Sequence, residues 1–366
     1  MRQLGPRILA FSRSNLTTLW SETSIDRLSK RQSLAGGRRS GLQHVRLGNT
    51  GLRVSRLCLG TMTFGFQCDE PTSFSILDRA ASARITFMDT SDVYPLGGGL
   101  ERAGRTEEII GKWIRGKRHD FVIATKCFGQ TGPQPFHSGN NRRHIFDAID
   151  ASLRRLGTDY IDVYQLHGFD PNVTADETLS TLDAIVRAGK VRYIGCSNYL
   201  AYQLARALGR SDVHGWARFV CVQPRYNLLY REIERELLPL CGEEGIGVIP
   251  FNPIAGGLLT GKYDRSRPPA EGTRFAYTGR IGELYRSRYW QDQVFDGVDT
   301  LNKIASRAGI PLTTLAVAWV LANPTITGPI IGASRTEQLD ATIAALDVKL
   351  DAELMADLDK ATIHFR

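Results

Sequence analysis

Four side chains that can act together on a proton stand at the ends of apolar runs in this sequence. Asp89 closes the run at residues 85–88 and is followed by Thr90-Ser91-Asp92-Val93-Tyr94; Lys126 closes residues 121–125; His167 closes residues 160–166. Reducing a carbonyl requires a hydride at carbon and a proton at oxygen, and a phenol with a pKa near ~10 is a poor donor unless its phenolate is stabilised. An ammonium beside Tyr94 does this by charge proximity, so Lys126 is expected to lower the Tyr94 pKa, and Asp89 to keep Lys126 charged and in place. His167 is then free to donate to, or orient, the carbonyl oxygen where negative charge develops. Each residue alone has a plain structural explanation: Asp89 as a helix N-cap, Lys126 as a surface charge, His167 as a satisfied core histidine. Their common place at strand ends is what favours chemistry.

The elements that must hold them follow from the apolar pattern. Eight short runs rich in β-branched residues lie at 56–59, 85–88, 121–125, 160–166, 191–195, 219–222, 247–251 and 327–331. They lack polar alternation, as strands of a parallel sheet buried on both faces do. Stretches of helical period separate them; residues 141–156 place Ile145, Ile149, Ser152, Leu153 and Leu156 on one face. Such crossovers are what parallel pairing demands. Eight strand-helix units without a break in composition predict a closed (β/α)8 TIM barrel over residues 42–366, whose active site would lie at the C-terminal strand ends. A doubly wound dinucleotide-binding sheet is disfavoured because the first strand runs into Gly60-Thr61-Met62-Thr63-Phe64-Gly65 rather than G-x-G-x-x-G. Ahead of the barrel, residues 44–47 and 52–55 around Gly48-Asn49-Thr50-Gly51 read as a small hairpin. After strand seven a long loop at 253–290, rich in Gly, Pro, Arg and Tyr, is placed to cover a ligand.

Composition narrows the function classes. With 42% hydrophobic and 23% charged residues the chain is ordinary for a globular protein, and no apolar run approaches membrane-span length, so a soluble, cytoplasmic protein is expected. The net charge of +8 is concentrated: residues 1–41 carry eight Lys/Arg against two Asp/Glu, leaving only +2 for the rest. No basic cluster for a phosphate backbone is left in the body, which argues against nucleic-acid binding. Residues 1–41, a basic extension outside the fold, read equally as a disordered tail, a transit peptide by composition, or a start codon assigned too far upstream. The six cysteines occur singly and look like small buried hydrophobes in a reducing compartment; no metal-ligand spacing is present.

From about residue 42 the chain resembles the aldo-keto reductases. The family's motif of Asp, four residues and Tyr appears as Asp89 to Tyr94, its lysine in Ile123-Ala124-Thr125-Lys126, and its histidine in Asp159-Tyr160-Ile161-Asp162-Val163-Tyr164-Gln165-Leu166-His167. The resemblance implies NADPH as cofactor and a small carbonyl compound as substrate. It implies that Ser197, Asn198 and Gln223 hold the nicotinamide carboxamide while Phe251 stacks on its ring. Thr61, Met62, Asp89, Asn252 and Ile254 complete the contacts it implies around the nicotinamide half. Gly332, Ser334, Arg335 and Gln338, at the start of the last barrel helix, resemble the adenosine-phosphate cradle, and a helix N-terminus with a nearby Arg suits a 2′-phosphate. Lys262 and Arg274 of the long loop match positions that clamp the phosphates from above.

Three features depart from that pattern. Ala341-Thr342 stands where Glu-Asn is common, Arg84 where a glycine is usual before strand two, and the loop at 95–104 is longer and richer in glycine. Two rival readings exist. Gly99 to Thr106 is one residue from the phosphate loop G-x-x-x-x-G-K-[ST], but Arg105 replaces its lysine and the segment lies too far beyond strand two. The segments 224–231 and 256–263 are similar to the branch containing potassium-channel β subunits, which bind NADPH and serve as partner-binding proteins; aryl-alcohol and sugar-aldehyde reductases of the same branch look closer. The aromatic and basic residues Phe64, Phe128, Phe136, Tyr277, Tyr285, Trp290, Arg286 and Arg288 are candidates for the substrate pocket.

Overall fold

A computed structural model describes residues 44–366, so the basic extension expected at 1–41 lies outside the described residues. β1 (His44–Arg46) and β2 (Arg53–Ser55) pair antiparallel as the expected hairpin. Eight parallel strands follow: β3 (Cys58–Gly60), β4 (Phe87–Asp89), β5 (Val122–Cys127), β6 (Ile161–Leu166), β7 (Val191–Ser197), β8 (Phe219–Gln223), β9 (Gly247–Val248) and β10 (Ile330–Gly332). They are hydrogen-bonded in chain order from β3 to β9, with β10 beside β3. The ring closes where Val248 bridges Ile326 and the Thr327 N–H donates to the Val248 carbonyl at 2.8 Å. This is the (β/α)8 barrel that the alternation of runs predicts.

Six of the eight strands run one or two residues beyond their expected C-terminal ends, mostly into polar residues that an apolar criterion excludes. β9 is shorter than expected because Pro250 has no N–H to give the ladder; Phe251 pairs instead as an isolated bridge to Arg225. β10 starts late for the same reason at Pro329.

The helices pack outside. Among them α1 (Glu70–Ser82) is N-capped by Asp69, α2 (Arg105–Trp113) starts at a left-handed Gly104, and α3 (Arg142–Leu156) is capped by Asn141, whose side chain accepts from the His144 N–H at 2.9 Å. Its predicted apolar face, Ile145, Ile149, Ser152 and Leu156, is buried against the strands. Arg84, in the turn before β4, has φ +61°, which explains why glycine suits this position: an L-residue in the left-handed region costs about 1–2 kcal/mol. All six cysteines are free and buried. Among the described residues no single helix is long and apolar enough to cross a membrane.

The inside of the barrel positions the site. Successive strand residues point alternately outward and inward. Cys58, Phe87, Ala124, Val163 and Cys221 form an inner apolar cluster, sealed from below by Leu47 and Val54 of the hairpin. Two residues further along four of these strands, the same inward face carries Asp89, Lys126, Gln165 and Gln223. The polar layer is therefore a consequence of strand register: Asp89 pairs with Gly60 and Ala124, Lys126 with Gln165, and Gln223 with Ser197.

The segment at 253–290 is not a structureless loop. It contains two 3-10 turns, Ala255–Thr260 and Arg274–Ala276, and the helix α4 (Gly279–Tyr289). Tyr263 packs edge-on against Phe275 and Trp290, which are tilted against each other, with ring centroids 5.0–5.7 Å apart.

Candidate active site

The polar layer forms one connected network. The Lys126 ammonium, wholly buried, donates to Asp89 Oδ2 at 2.5 Å and to the Thr90 carbonyl at 2.7 Å. Asp89 Oδ1 accepts from Gln223 Nε2 at 2.8 Å and from Gln165 Nε2 at 3.1 Å. Gln223 Nε2 also donates to Gln165 Oε1 at 3.2 Å, so both its protons are engaged and only its carbonyl oxygen is left for a ligand. Asp89 is therefore no helix cap and Lys126 no surface charge. Burial alone would lower the Lys126 ammonium, but Asp89 and Tyr94 beside it leave it above its ordinary value.

Tyr94 lies above this pair, with Lys126 Nζ 5.1 Å from its ring centroid. Its backbone carbonyl is held by the Gly104 and Thr106 N–H groups, at 3.1 and 3.4 Å, which is the use the structure makes of the long loop at 95–104. The apparent phosphate loop has no free anion site: Arg105 is paired with Glu70 and Glu108, and the Thr106 hydroxyl donates to the Phe64 carbonyl. The Tyr94 phenol nevertheless stands above its ordinary value. Burial pushes the phenol up; Lys126 pulls it down, as expected, but does not outweigh burial together with Asp89 and Tyr285.

His167 faces Tyr94 edge-on, with centroids 5.8 Å apart, and its Nδ1 lies 3.2 Å from Ser91 Oγ. Burial, then the Lys126 charge, lowers the imidazole to about 3, so it is neutral at physiological pH.

These groups open into a cavity of about 310 Å³ at the C-terminal mouth of the barrel. Of the residues singled out from the sequence, Thr61, Met62, Asp89, Tyr94, His167, Ser197, Asn198, Gln223, Phe251, Asn252, Ile254, Arg274 and Gly332 line it. Lys126 lies below the wall, while Lys262, Ser334, Arg335 and Gln338 lie outside the lining. The Ser197 hydroxyl donates to the Gln223 backbone carbonyl at 2.8 Å, and Asn198 Nδ2 donates to the His167 backbone carbonyl at 2.9 Å. Asn198 and Asn252 both adopt left-handed φ values, +59° and +57°, where strands turn into the mouth. Among the described residues Asn252 Nδ2 is buried without a partner, in a residue that lines the cavity.

At the rim, Lys262 is held below its ordinary range by burial and then by the Arg335 and Arg274 charges. Among the described residues no carboxylate pairs with any of the three, and the nearest anchor is Asn252 Oδ1, 3.3 Å from Arg274 Nη1. The helix after β10, α5 (Gln338–Ile343), has only six residues, and Gln338 Oε1 already accepts from the Ser334 N–H at 2.8 Å. The helix-terminus argument for that end is thus weaker than expected, and the Arg335 charge carries it. Thr342 lines the cavity, but its hydroxyl is turned to the Leu339 carbonyl.

Among the aromatic and basic residues considered for the pocket, Tyr285 and Arg288 line the cavity. Phe64 is core, Arg286 donates to the carbonyls of Phe275 and Tyr277, and Phe136 lies under Arg143. Sequence reading assigned no role to Val93, Leu96, Ile281 and Leu284 in the lining, nor to Gln165 beside Asp89. The period-two register from Val163 to Gln165 was the available signal for the last.

A buried carboxylate–ammonium pair beneath a phenol, at the mouth of an eight-stranded barrel, defines a barrel oxidoreductase site. The chain belongs to the aldo/keto reductase family, whose sequence model matches residues 56–363. It is 38% identical over 326 residues to an uncharacterized oxidoreductase, YrpG, of Bacillus subtilis, covering 87% of this chain and 95% of that one. It is 36% identical to a putative aryl-alcohol dehydrogenase of Schizosaccharomyces pombe, covering 84% and 92%. A probable voltage-gated potassium channel subunit beta of Arabidopsis thaliana is also 36% identical, again over 84% and 92%. The protein is an oxidoreductase of this family.

Proposed function

We propose that the protein reduces an aldehyde or ketone to the alcohol with NADPH, reversibly, and that Tyr94 supplies the proton. The observation that carries this reading is the buried Asp89–Lys126 pair directly under Tyr94, at the floor of a cavity whose rim holds three cations that no carboxylate among the described residues pairs. NADPH, when bound, supplies hydride from its nicotinamide C4 to the carbonyl carbon. Tyr94 gives its hydroxyl proton to the carbonyl oxygen, and Lys126 stabilises the phenolate that this leaves. Asp89 fixes Lys126, and Gln165 and Gln223 fix Asp89. His167, neutral, orients the carbonyl oxygen from the opposite side.

The residues present fit the cofactor. The Gln223 side-chain oxygen, Ser197 and Asn198 are available to a carboxamide, Phe251 offers a stacking face, and Thr61, Met62, Asn252, Ile254 and Gly332 flank the same wall. Lys262, Arg274 and Arg335 match the charge of a pyrophosphate and a 2′-phosphate, with Ser334 and Gln338 beside them. The substrate is a small carbonyl compound. Val93, Leu96, Ile281, Leu284 and Tyr285 favour an apolar or aryl group, and Arg288 can meet an anionic one.

The likeness to the Arabidopsis channel subunit supports a second reading, an NADPH-binding partner protein with little turnover. Titration of the purified protein with NADPH and NADH by tryptophan-fluorescence quenching, then NADPH oxidation against aromatic, aliphatic and sugar aldehydes, separates the two. Binding with aldehyde-dependent oxidation is expected; binding without turnover favours the second reading, and no binding contradicts both.

A further inference from the structure

Behind His167 lies a buried carboxyl group that the reaction described above does not use. Asp92 is 1% exposed; its Oδ1 is 3.1 Å from Ser91 Oγ, and its Oδ2 has no partner. Ser91 Oγ is at the same time 3.2 Å from His167 Nδ1. A serine hydroxyl has one proton and can donate to only one of these neighbours.

Two arrangements are therefore possible. If Asp92 is ionised, Ser91 donates to the carboxylate, Nδ1 carries the imidazole proton and donates to Ser91, and Nε2 is bare. If Asp92 is protonated, the acid donates from Oδ1 to Ser91, Ser91 donates to Nδ1, and the imidazole proton sits on Nε2. Among the described residues Nε2 has no partner, and His167 lines the cavity, so Nε2 is the nitrogen a carbonyl oxygen would meet. Only the second arrangement gives that oxygen a donor.

We propose that Asp92 is a positioning residue, kept as a neutral carboxylic acid so that the chain Asp92–Ser91–His167 puts the imidazole proton on Nε2. This rests on the reading of His167 given above. The surroundings favour the neutral acid. Glu107 of α2 is buried close by; its own charge is met by Arg155 of α3 and by the Thr125 hydroxyl at 2.5 Å. From the strands, Cys127 of β5 and Tyr164 of β6 face Asp92, and neither is a cation at any pH. Lys126 gives Asp92 only a backbone carbonyl, which accepts from the Asp92 N–H at 3.1 Å. Burial, then Glu107, outweighs the downward pulls of the Ser91 hydroxyl, the Arg155 charge and the Val93 N–H, and raises the Asp92 carboxyl to about 8. His167 itself stays neutral well below that pH, so what changes near pH 8 is its tautomer rather than its charge.

The consequence is an alkaline limb in kcat/KM near pH 8, below the range of the raised Tyr94 phenol. Wild-type kcat/KM for NADPH-dependent aldehyde reduction should fall about tenfold from pH 7 to pH 9, one unit above that value. Asp92→Asn keeps a neutral donor toward Ser91 at every pH, and its fall over the same interval should be less than twofold. Ser91→Ala cuts the chain and should lower kcat/KM at pH 7 while also losing the limb. The direct readout needs no turnover: 15N NMR of the 15N-histidine-labelled full chain, with His167→Asn to assign the signal. A proton on Nε2 at pH 6.5 that moves to Nδ1 above pH 8, and stays on Nε2 in Asp92→Asn, supports the proposal. A proton on Nδ1 at pH 6.5, or an unchanged limb in Asp92→Asn, overturns it. Should the protein reduce no carbonyl, the reading of His167 fails while the tautomer measurement still decides the relay.

Discussion

Replacing Lys126 by Met perturbs both the stability of the barrel mouth and the chemistry proposed for it, and the two effects can be separated. The ammonium is fully buried, 2.5 Å from Asp89 Oδ2 and 5.1 Å from the Tyr94 ring centroid. At an effective dielectric of about 20, a unit charge 5 Å away stabilises a phenolate by about 3 kcal/mol, or about two pKa units. Lys126→Met should therefore leave the Tyr94 phenolate that much harder to form and lower kcat at least about a hundredfold. It also strands the Asp89 carboxylate, which keeps Gln165 and Gln223 as donors but loses its cation; removing one member of a buried pair costs about 3–5 kcal/mol. The double variant Asp89→Asn/Lys126→Met removes both charges and should recover more than half of that stability, but none of the activity. Urea titration followed by tryptophan fluorescence reads the first effect and NADPH oxidation with an aldehyde reads the second. An unchanged urea midpoint for Lys126→Met would refute the buried ion pair. A double variant that recovers turnover along with stability would refute the role of Lys126 toward Tyr94.

Further outcomes follow from the same geometry. Arg335→Ala should weaken NADPH more than NADH, because its charge suits the 2′-phosphate; equal losses in a fluorescence titration would sink that assignment. Arg84→Gly should stabilise the protein by about 1 kcal/mol at most, since a left-handed residue on an exposed turn is relieved; a lower urea midpoint would contradict this. His167, lowered to about 3, takes up no proton in the folded state below pH 6.5 while the unfolded chain does, so its contribution is present above pH 6.5 and lost as pH falls toward 3. The slope is at most about 1.4 kcal/mol per pH unit, and His167→Asn should flatten it in urea titrations between pH 4 and 6.5.

Much of this site could be read from residue types at strand ends. Asp89, Lys126, Ser197 and Gln223 continue the inward face of Phe87, Ala124, Gly195 and Cys221, so a polar residue two places past the last inward one falls in the cavity wall or, for Lys126, just below it by register alone. The strands were placed too short there because hydrophobicity ends before pairing does. At β9 and β10 the error ran the other way, since Pro250 and Pro329 interrupt ladders that apolarity alone would continue. The helix Gly279–Tyr289 was not legible: it begins at glycine, carries three arginines, and buries only Gly282, Tyr285 and Tyr289. Nor was the contact between Ser91 and His167, which depends on how the turn after β4 aims one hydroxyl across the barrel mouth. The upward shift of the Tyr94 phenol was also beyond the sequence, because the depth of its burial is a property of the whole mouth, helix Gly279–Tyr289 included.

The most direct test of the central claim is a paired measurement on wild type and Tyr94→Phe: NADPH affinity by fluorescence quenching, and single-turnover NADPH oxidation with a reactive aromatic aldehyde. A phenyl ring keeps the packing and removes only the hydroxyl, so NADPH affinity should stay within about twofold while the oxidation rate falls by about two to four orders of magnitude. A Tyr94→Phe protein that oxidises NADPH at the wild-type rate would contradict the account.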